Sequence, residues 1–392
     1  MTGRAPGASE NLGELVRGRM PALDGLRGIA ILLVLAHGFD TIQTSHGLGH
    51  AVDLALDLGW VGVQLFFVLS GFLITGILLE TRQAPGYYKN FLIRRVLRIF
   101  PLYYGVLFVA FVIAPQVVDV PPGHGDHQLW LWTYLTNFAE PFGRGEPVFP
   151  HFWSLAVEEQ FYIVWPLVVY VVGRRGTIAV GAVLVVIAIA ARLYVRAHYN
   201  AMAAYTFTPC RMDALAIGAI AAAVVRGERL RRLIVHHHAT KLAIAGALVV
   251  LGGAAVGHLL REGPNMQTSG YTIIALGFTL LLVAALSPRQ LPARVLSWPP
   301  LRRVGLYSYG MYVFHAPLHV YVGLPILARL HTSYGTAAGI LYALVLALVT
   351  LGLAMLSYHL FEVRFLRLKP TLTPPAPPAP PAPPAPPADA RA

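Results

Sequence analysis

The chain has 392 residues, of which 56% are hydrophobic and only 12% charged, and its net charge is +12. Soluble domains carry about 25% charged residues, and the apolar residues here fall in runs of about 20, the length that spans a bilayer as a helix. The composition excludes an ordinary soluble protein and predicts an all-α, polytopic integral membrane protein, while the single Cys210 excludes an internal disulfide and a cysteine metal cluster.

Ten segments, taken in chain order, are long and apolar enough to be membrane-spanning helices. Their approximate bounds are 26–44, 60–80, 101–119, 152–173, 177–195, 211–226, 240–259, 270–287, 305–325 and 335–361. A further stretch, 128–138, is too short and too polar at its ends to span. We expect it to be an interfacial or re-entrant segment.

The loops predict that both termini are cytoplasmic, because cytoplasmic loops are enriched in Lys and Arg. With a cytoplasmic N-terminus, all but six of the 30 basic residues fall on that side. The six exceptions are Arg144, Arg192, Arg196, Arg211, Arg261 and Arg329. This distribution explains the positive net charge without nucleic acid, and the first 20 residues lack the apolar core of a cleavable signal peptide.

Three regions follow from this pattern. Residues 1–20 are expected to be a cytoplasmic N-terminal segment, 21–369 a transmembrane domain, and 370–392 a cytoplasmic tail. Repeated Pro-Pro-Ala in the tail favours extended polyproline II, which buries nothing. We therefore predict a disordered tail, with a recruitment peptide as the alternative.

The first predicted span, "LDGLRGIAILLVLAHGF", contains an arginine and a histidine. Arg27 lies at its cytoplasmic mouth, and His37 follows about 15 Å further along the axis, close to the bilayer centre. A lone core histidine is often a satisfied structural group. A neutral imidazole is also the natural general base at neutral pH, which a hydroxyl acceptor requires.

Three arginines, Arg94, Arg95 and Arg98, precede the third span within one helical turn. Arg95 and Arg98 are i, i+3 neighbours, so both can point the same way. One interpretation is anchoring to anionic lipid on the cytoplasmic side. The other is a cradle for a polyphosphate, because arginine binds phosphate bidentately.

Two adjacent carboxylates, Glu158 and Glu159, lie inside the fourth span, "HFWSLAVEEQFYIVWPL". Charge is costly in a bilayer, so such groups are functional candidates. Glu158 is predicted to orient His37, as a carboxylate orients a catalytic base, or to bind the acceptor. The open alternative is structural pairing of the glutamates with Arg192 or Arg211.

Histidines occur at two places with the spacing of metal ligands. His315 and His319 are one turn apart in the ninth span, and the 120–150 region holds further His and Asp residues. No third ligand accompanies the pair. We predict no metal, a solvated loop and a polar cavity lining that includes His315. In the second span, Ser70 is expected to permit close packing rather than to act as a nucleophile.

Six motifs in this order resemble the membrane acyltransferase 3 family, the O-acyltransferases of the OafA/YrhL type. They are "LDGLRGIAILLVLAH", "FFVLSGFLI", "RRVLRIFPLYY", "FWSLAVEEQFYIVWPL", "SYGMYVFHAP" and "LFEVRFLRLK", which together cover essentially residues 20 to 369. The resemblance implies transfer of an acyl group, commonly acetyl, from acyl-CoA to a hydroxyl of a carbohydrate, a cell-envelope glycan or a macrolide. We expect a single-domain member without a fused SGNH-type domain, in the cell's inner or plasma membrane.

The resemblance also implies roles for individual residues. His37 and Glu158 are the predicted catalytic residues. The predicted donor-binding residues are Arg27, Arg95 and Arg98, and the predicted substrate-binding residues are Glu159, Trp153 and His315. The expected partners are acyl-CoA as donor substrate, a hydroxyl-bearing acceptor and the lipid bilayer, with no permanently bound cofactor, no metal and no nucleic acid.

A polytopic transporter or exporter without acyl-transfer chemistry is the alternative. It accounts for ten helices and for intramembrane charge. It does not account for a cytoplasmic arginine triplet in the same chain as a histidine deep in the first span.

Overall fold

The computed structural model describes residues 20–40, 47–227, 238–256, 261–288, 290–330 and 336–373. Every regular element in these ranges is helical. The predicted N-terminal segment and nearly all of the predicted tail lie outside the described residues. The cytoplasmic placement of both termini stays a prediction.

Nine long helices, numbered in chain order, form the protein within these ranges. They are α1 Pro21–Gly38, α2 Val61–Thr81, α3 Tyr87–Phe108, α4 Trp153–His198, α5 Thr208–Val225, α6 Ala239–Val256, α7 Tyr271–Ala285, α8 Pro299–Leu318 and α9 Thr336–Ser357. Shorter helices connect or extend them: Gly47–Asp57, Ala114–Val117, Leu129–Trp132, Thr136–Ala139, Ala201–Thr206, Leu291–Leu296, Leu324–Leu330, Val363–Leu366 and Lys369–Leu372. Single π-turns at Val109–Ile113, Met266–Gly270, His319–Gly323 and Tyr358–Glu362, and 3₁₀ turns at Leu58–Trp60, Glu140–Phe142 and Pro150–Phe152, complete the list.

Eight helical stretches of the described residues are long and apolar enough to cross a membrane. Each of the ten predicted segments nevertheless has most of its described residues in a helix. The count differs because Pro150–His198 contains two predicted segments, and the seventh is the shorter helix Ala239–Ala255. The predicted non-spanning stretch 128–138 forms two helices of four residues each.

A backbone break at Gly173 turns α4 into a helical hairpin. Gly173 has φ 62° and ψ −168°, the left-handed region that suits glycine. Before the break, Gln160 contacts Thr208 at the start of α5. Directly after the break, Arg174 donates to the carbonyl of Ala223 at the end of α5. The chain then runs back toward the start of α5. The two arms of α4 therefore run antiparallel, in agreement with two separate predicted spans.

Close glycine contacts bring α2 and α5 together. A Cβ on Gly71 would collide with the carbonyl of Leu215, and one on Gly218 would collide with the carbonyl of Val68. The two backbones therefore touch, as small residues allow in membrane bundles. This contact holds α2 beside the first arm of α4, where Trp165 Nε1 donates to Thr75 Oγ1 at 2.8 Å.

The outer faces of α4 and α9 are strongly apolar. Val171 is 76% exposed and Leu348 67% exposed, and neighbouring Leu and Val side chains share these faces. Such large exposed apolar surfaces are compatible with lipid contact. Together with the eight apolar stretches, they support a multi-pass membrane protein.

The structural alternative for the glutamates is wrong, because Arg192 and Arg211 have other partners. Arg192 Nη1 lies 2.9 Å from Asp213 Oδ2, and neither side chain is exposed. Arg211 donates to Gln64 Oε1 at 2.6 Å. Its guanidinium also lies over four aromatic rings, with the Tyr271 centroid at 4.2 Å.

The connection between α3 and α4 contains a half-buried carboxyl group, Glu140. Its Oε2 atom has no hydrogen-bond partner among the described residues. Burial raises the pKa of Glu140 to about 7, and the charge of Arg261 opposes that rise. Because the folded protein binds this proton more tightly than the unfolded chain, Glu140 costs stability as pH rises from about 4.5 to about 7.

We expect Glu140→Gln to leave Tm unchanged near pH 5 and to raise it by roughly 2 °C near pH 8.5. The amide has no proton to lose, so the penalty for ionisation disappears. Thermal unfolding of detergent-solubilised protein at the two pH values measures this. Glu262→Gln, at an exposed carboxylate, is the control; an equal Tm for wild type and Glu140→Gln at pH 8.5 contradicts the prediction.

Candidate functional site

A cavity of about 120 Å³ lies between α1, α2, α3, the first arm of α4 and α8. Its polar lining comes from all five helices. The polar side chains are Arg27, Ser70, Arg95, Arg98, Ser154, Glu158, Glu159, Tyr162, Ser308, Tyr309 and Tyr312. Five of the eight predicted site residues therefore share one cavity: the three arginines and both glutamates.

One end of the cavity, here called the arginine end, is formed by Arg27, Arg95 and Arg98. Arg27 Nη1 donates to Asp24 Oδ1 at 3.1 Å. Arg95 lies over the rings of Phe91 and Tyr162, at 5.5 and 5.6 Å from their centroids. Arg98 is exposed, so the cavity opens at this end.

Arg95 and Arg98 lack the usual counter-ions of buried arginines. Within the described ranges, no carboxylate oxygen lies at ion-pair distance from either guanidinium. Arg98 also lines a second cavity of about 70 Å³ that adjoins the first and contains Glu362. The arginine end can therefore accept an anionic ligand.

The two glutamates lie next to the arginine end. The hydroxyl of Tyr162 donates to Glu158 Oε2 at 3.2 Å and lies 2.5 Å from Ser70 Oγ. Glu159 is 8% exposed, and its Oε1 atom has no hydrogen-bond partner in the described part of the chain. Both glutamates line the cavity although they are adjacent in sequence.

His37 does not lie where the sequence predicted. The first helix begins at Pro21 and ends at Gly38, so His37 occupies its last turn rather than its middle. Its Nδ1 lies 3.1 Å from Asp57 Oδ1, within ion-pair distance but without the geometry of a hydrogen bond. The partner of His37 is therefore Asp57, whereas Glu158 contacts Tyr162, and the predicted pairing of Glu158 with His37 is wrong.

His315 lies behind the wall of the cavity, not in it. Its Nδ1 donates to the carbonyl of Tyr312 at 2.6 Å, and Tyr312 is the residue that lines the cavity. The His315 ring centroid is 4.4 Å from that of His151, and the His315 ring contacts Gly38. We call the group formed by His37, Asp57, His151 and His315 the histidine end of the site.

Two further observations complete the histidine end. Both ring nitrogens of His151 are buried without a hydrogen-bond partner among the described residues. Ser154 Oγ lies 2.6 Å from the hydroxyl of Tyr312, and that hydroxyl donates to the His151 carbonyl at 2.9 Å. Tyr312 therefore links the cavity wall to the histidines beyond it.

Trp153 lies away from the cavity lining. Its ring packs against Tyr205, with centroids 4.7 Å apart, and against Phe67. In this position it belongs to the core around Arg211. As for metals, no group of three or more His, Cys, Asp or Glu residues suited to holding an ion occurs within the residues that the structure describes.

Sequence reasoning missed several residues of the site. Asp57 carries only a weak signal, a carboxylate just before the second span. Tyr162 was recognisable, because it lies four residues after Glu158 on the same helical face. Ser154, Tyr309 and Tyr312 carry no such signal, since their roles depend on how α8 packs against α4.

The sequence model of one protein family, described as an acyltransferase domain, matches residues 20–359. The chain is 30% identical over 373 residues to YrhL of Bacillus subtilis (strain 168), covering 88% of this chain and 54% of that protein. It is 27% identical to the peptidoglycan O-acetyltransferase OatA of Listeria monocytogenes, covering 76% of this chain and 49% of the relative. The O-acetyltransferase OatA of Staphylococcus aureus (strain NCTC 8325 / PS 47) is also 27% identical, with 77% and 51% covered. The chain thus spans about half the length of the curated relatives it matches.

We expect Tyr162→Phe to lower stability by about 1–3 kcal/mol, because Glu158 and Ser70 both lose a partner inside the bundle. The phenyl ring retains its face toward Arg95, so the cation–π contact survives. Thermal unfolding in detergent measures the loss, with Tyr170→Phe, at an exposed tyrosine, as the matched control. Identical Tm values for Tyr162→Phe and wild type count against the hydrogen bonds described here.

Proposed function

We propose that this chain, which belongs to the membrane acyltransferase 3 family, moves an acyl group, acetyl in the first instance, from acyl-CoA to a hydroxyl of a cell-envelope glycan. The observation that carries the proposal is the cavity between five helices in which Arg27, Arg95 and Arg98 meet. A transporter of neutral cargo has no need of this cationic opening. A donor that carries phosphates does.

The donor is proposed to enter at the arginine end. Coenzyme A carries about four negative charges on its phosphates, and arginine binds phosphate through charge-assisted, often bidentate hydrogen bonds. Arg98 is exposed and Arg95 has no carboxylate at ion-pair distance among the described residues, which favours an incoming anion. An extended pantetheine arm reaches roughly 15–20 Å, comparable to the rise from Arg27 to His37 along α1.

The acceptor hydroxyl is proposed to lose its proton to His37. The carboxylate of Asp57 lies 3.1 Å from Nδ1, and we propose that it turns to accept a hydrogen bond from Nδ1, which keeps the proton on that nitrogen. Nε2 is then the atom that accepts a proton, the arrangement of a base with an orienting carboxylate. Asp57 replaces Glu158 in the orienting role that the sequence suggested.

The chemical step is a substitution at the thioester. The acceptor oxygen attacks the carbonyl carbon while its proton moves to His37, the carbon–sulfur bond breaks, and the coenzyme A thiolate leaves and takes a proton. Glu158, held by Tyr162 beside Ser70, lines the same cavity as the three arginines. We propose that Glu158 and Glu159 bind polar groups of the reactants there.

The acceptor class is the least constrained element. The matched proteins from Listeria monocytogenes and Staphylococcus aureus bear the names of O-acetyltransferases, and the former that of a peptidoglycan O-acetyltransferase. These names favour a cell-envelope glycan over a macrolide for this chain. They are also compatible with the plasma membrane as the location.

His37→Ala is expected to lower kcat by a factor of about 10²–10⁴, because it removes the proposed base. Arg98→Ala is expected mainly to raise KM for acetyl-CoA. Purified protein in nanodiscs, labelled acetyl-CoA and soluble glycan fragments provide the assay. His198→Ala and Arg364→Ala, both at exposed positions, are the controls; wild-type rates in both test variants, or no acylated product from wild type, would sink the proposal.

Asp57→Asn is expected to lower kcat on the order of 10-fold or more while KM for acetyl-CoA changes little, because the base remains but loses its orienting carboxylate. The same assay measures both parameters. Asp53→Asn, one turn earlier and next to His50, is the matched control. A kcat of Asp57→Asn equal to that of Asp53→Asn assigns Asp57 no part in the reaction.

A further inference from the structure

The last described residues, 368–373, fold back against the arginines of α3. Arg94 Nε donates to Thr373 Oγ1 at 2.9 Å, and Arg94 Nη2 donates to the Thr373 carbonyl at 3.2 Å. The Thr373 hydroxyl donates in turn to the carbonyl of Lys369 at 2.7 Å. Thr373 is only 1% exposed. Arg94 thus holds the short helix Lys369–Leu372 beside the arginine end. The Arg94 guanidinium uses two of its donors for this contact.

This arrangement brings Lys369 close to the arginines of α3. The Thr373 hydroxyl joins Arg94 to the Lys369 carbonyl, and Leu366, three residues before Lys369, lines the second cavity together with Arg98. The charge of Lys369 accordingly interacts with those of Arg98, Arg95 and Arg94. Like charges repel one another, so holding these cations together costs free energy of folding. An anion bound between these side chains offsets the repulsion while it is present.

The acidic residues near the cluster do not neutralise it. Glu362 is the acid closest in sequence to Lys369; it accepts from Ser357 Oγ at 3.2 Å and lies in the second cavity with Arg98. Glu158 and Glu159 interact with Arg95 from the other side. In the described part of the chain, neither Arg94 nor Lys369 has a carboxylate at ion-pair distance.

We propose that Lys369 is a donor-binding residue: with Arg95 and Arg98 it holds the phosphates of a nucleotide-bearing thioester, and the Arg94–Thr373 contact positions it there. The inference rests on the proposed function and deepens it. The family match ends at residue 359, so Lys369 lies outside the region on which that similarity depends. Lysine acts toward phosphate as a mobile point charge, and its flexible stem allows it to close over a ligand already bound by arginines.

An anionic lipid headgroup presents the same phosphate chemistry. Basic residues at the cytoplasmic ends of membrane helices commonly attract such lipids. Here Arg95 and Arg98 line a cavity between helices, which favours a ligand that enters the bundle. The lipid composition of the assay separates the two sources.

The test compares Lys369→Ala, Lys369→Arg and wild type in nanodiscs made only of zwitterionic lipid. With acetyl-CoA as donor, Lys369→Ala is expected to raise KM about 10-fold with kcat nearly unchanged, and Lys369→Arg to restore most of the affinity. With acetyl-pantetheine, which has no phosphate, the KM values of the three proteins are expected to agree. This second donor also shows that Lys369→Ala is folded.

Arg367→Ala is the matched control, since it removes an exposed cation two residues away. A similar rise of KM in Arg367→Ala points to general surface charge and overturns the inference. So does an effect of Lys369→Ala that appears only after anionic lipid is added. An equal KM for acetyl-CoA in Lys369→Ala and wild type overturns it directly.

Direct binding of coenzyme A separates this inference from the proposed reaction. Binding of coenzyme A to the same nanodiscs, measured by calorimetry, needs no acceptor and no turnover. If wild type binds coenzyme A about 10-fold more tightly than Lys369→Ala but produces no acylated glycan, the proposed reaction fails and the role of Lys369 stands. If wild type produces acylated glycan and both proteins bind coenzyme A equally, the proposed reaction stands and the role of Lys369 fails.

Discussion

The cost of holding guanidinium groups among membrane helices governs the arrangement of this protein. A buried cation needs hydrogen bonds, a counter-ion or an aromatic face, since it has lost its water. The structure meets this need in two ways. Arg192 pairs with Asp213, and Arg211 lies among four aromatic rings and bonds to Gln64. These two arginines are committed to the fold.

The arginines of the cavity are held differently. Arg95 faces two aromatic rings and Arg98 reaches the surface, and neither has a carboxylate at ion-pair distance within the described ranges. Their partners are therefore incomplete in the protein alone. That difference, rather than the number of arginines, separates a ligand site from a structural ion pair. It is also the reason why we propose that an anionic donor enters at the arginine end.

The opposite end of the site has another chemistry. His37, His151 and His315 form a compact group beyond Tyr312, with Asp57 as the one carboxylate paired to His37. Fixed cations and two carboxyl groups thus line the cavity, and the imidazoles lie behind its wall. This separation is compatible with the proposed reaction, in which an anionic donor and a neutral hydroxyl bind to different groups.

Local sequence determined the helices and much of the cavity. Apolar runs of membrane length identified all ten helical segments, because the bilayer imposes that length on any spanning helix. The charged residues inside or beside such runs identified Arg27, Arg95, Arg98, Glu158 and Glu159, because few purposes justify their cost there. The backbone break at Gly173 lies at the boundary between two predicted spans, both of which belong to α4.

Only the tertiary structure decided which polar groups are partners. A helical period tells which residues share a face, but the vertical offset between two helices depends on their packing. The early start of α1 moved His37 to the end of its helix, next to Asp57 and away from Glu158. The contact between Arg94 and Thr373 joins residues 279 positions apart. No local pattern encodes such a pair, because it forms only after the last helix has packed against the third.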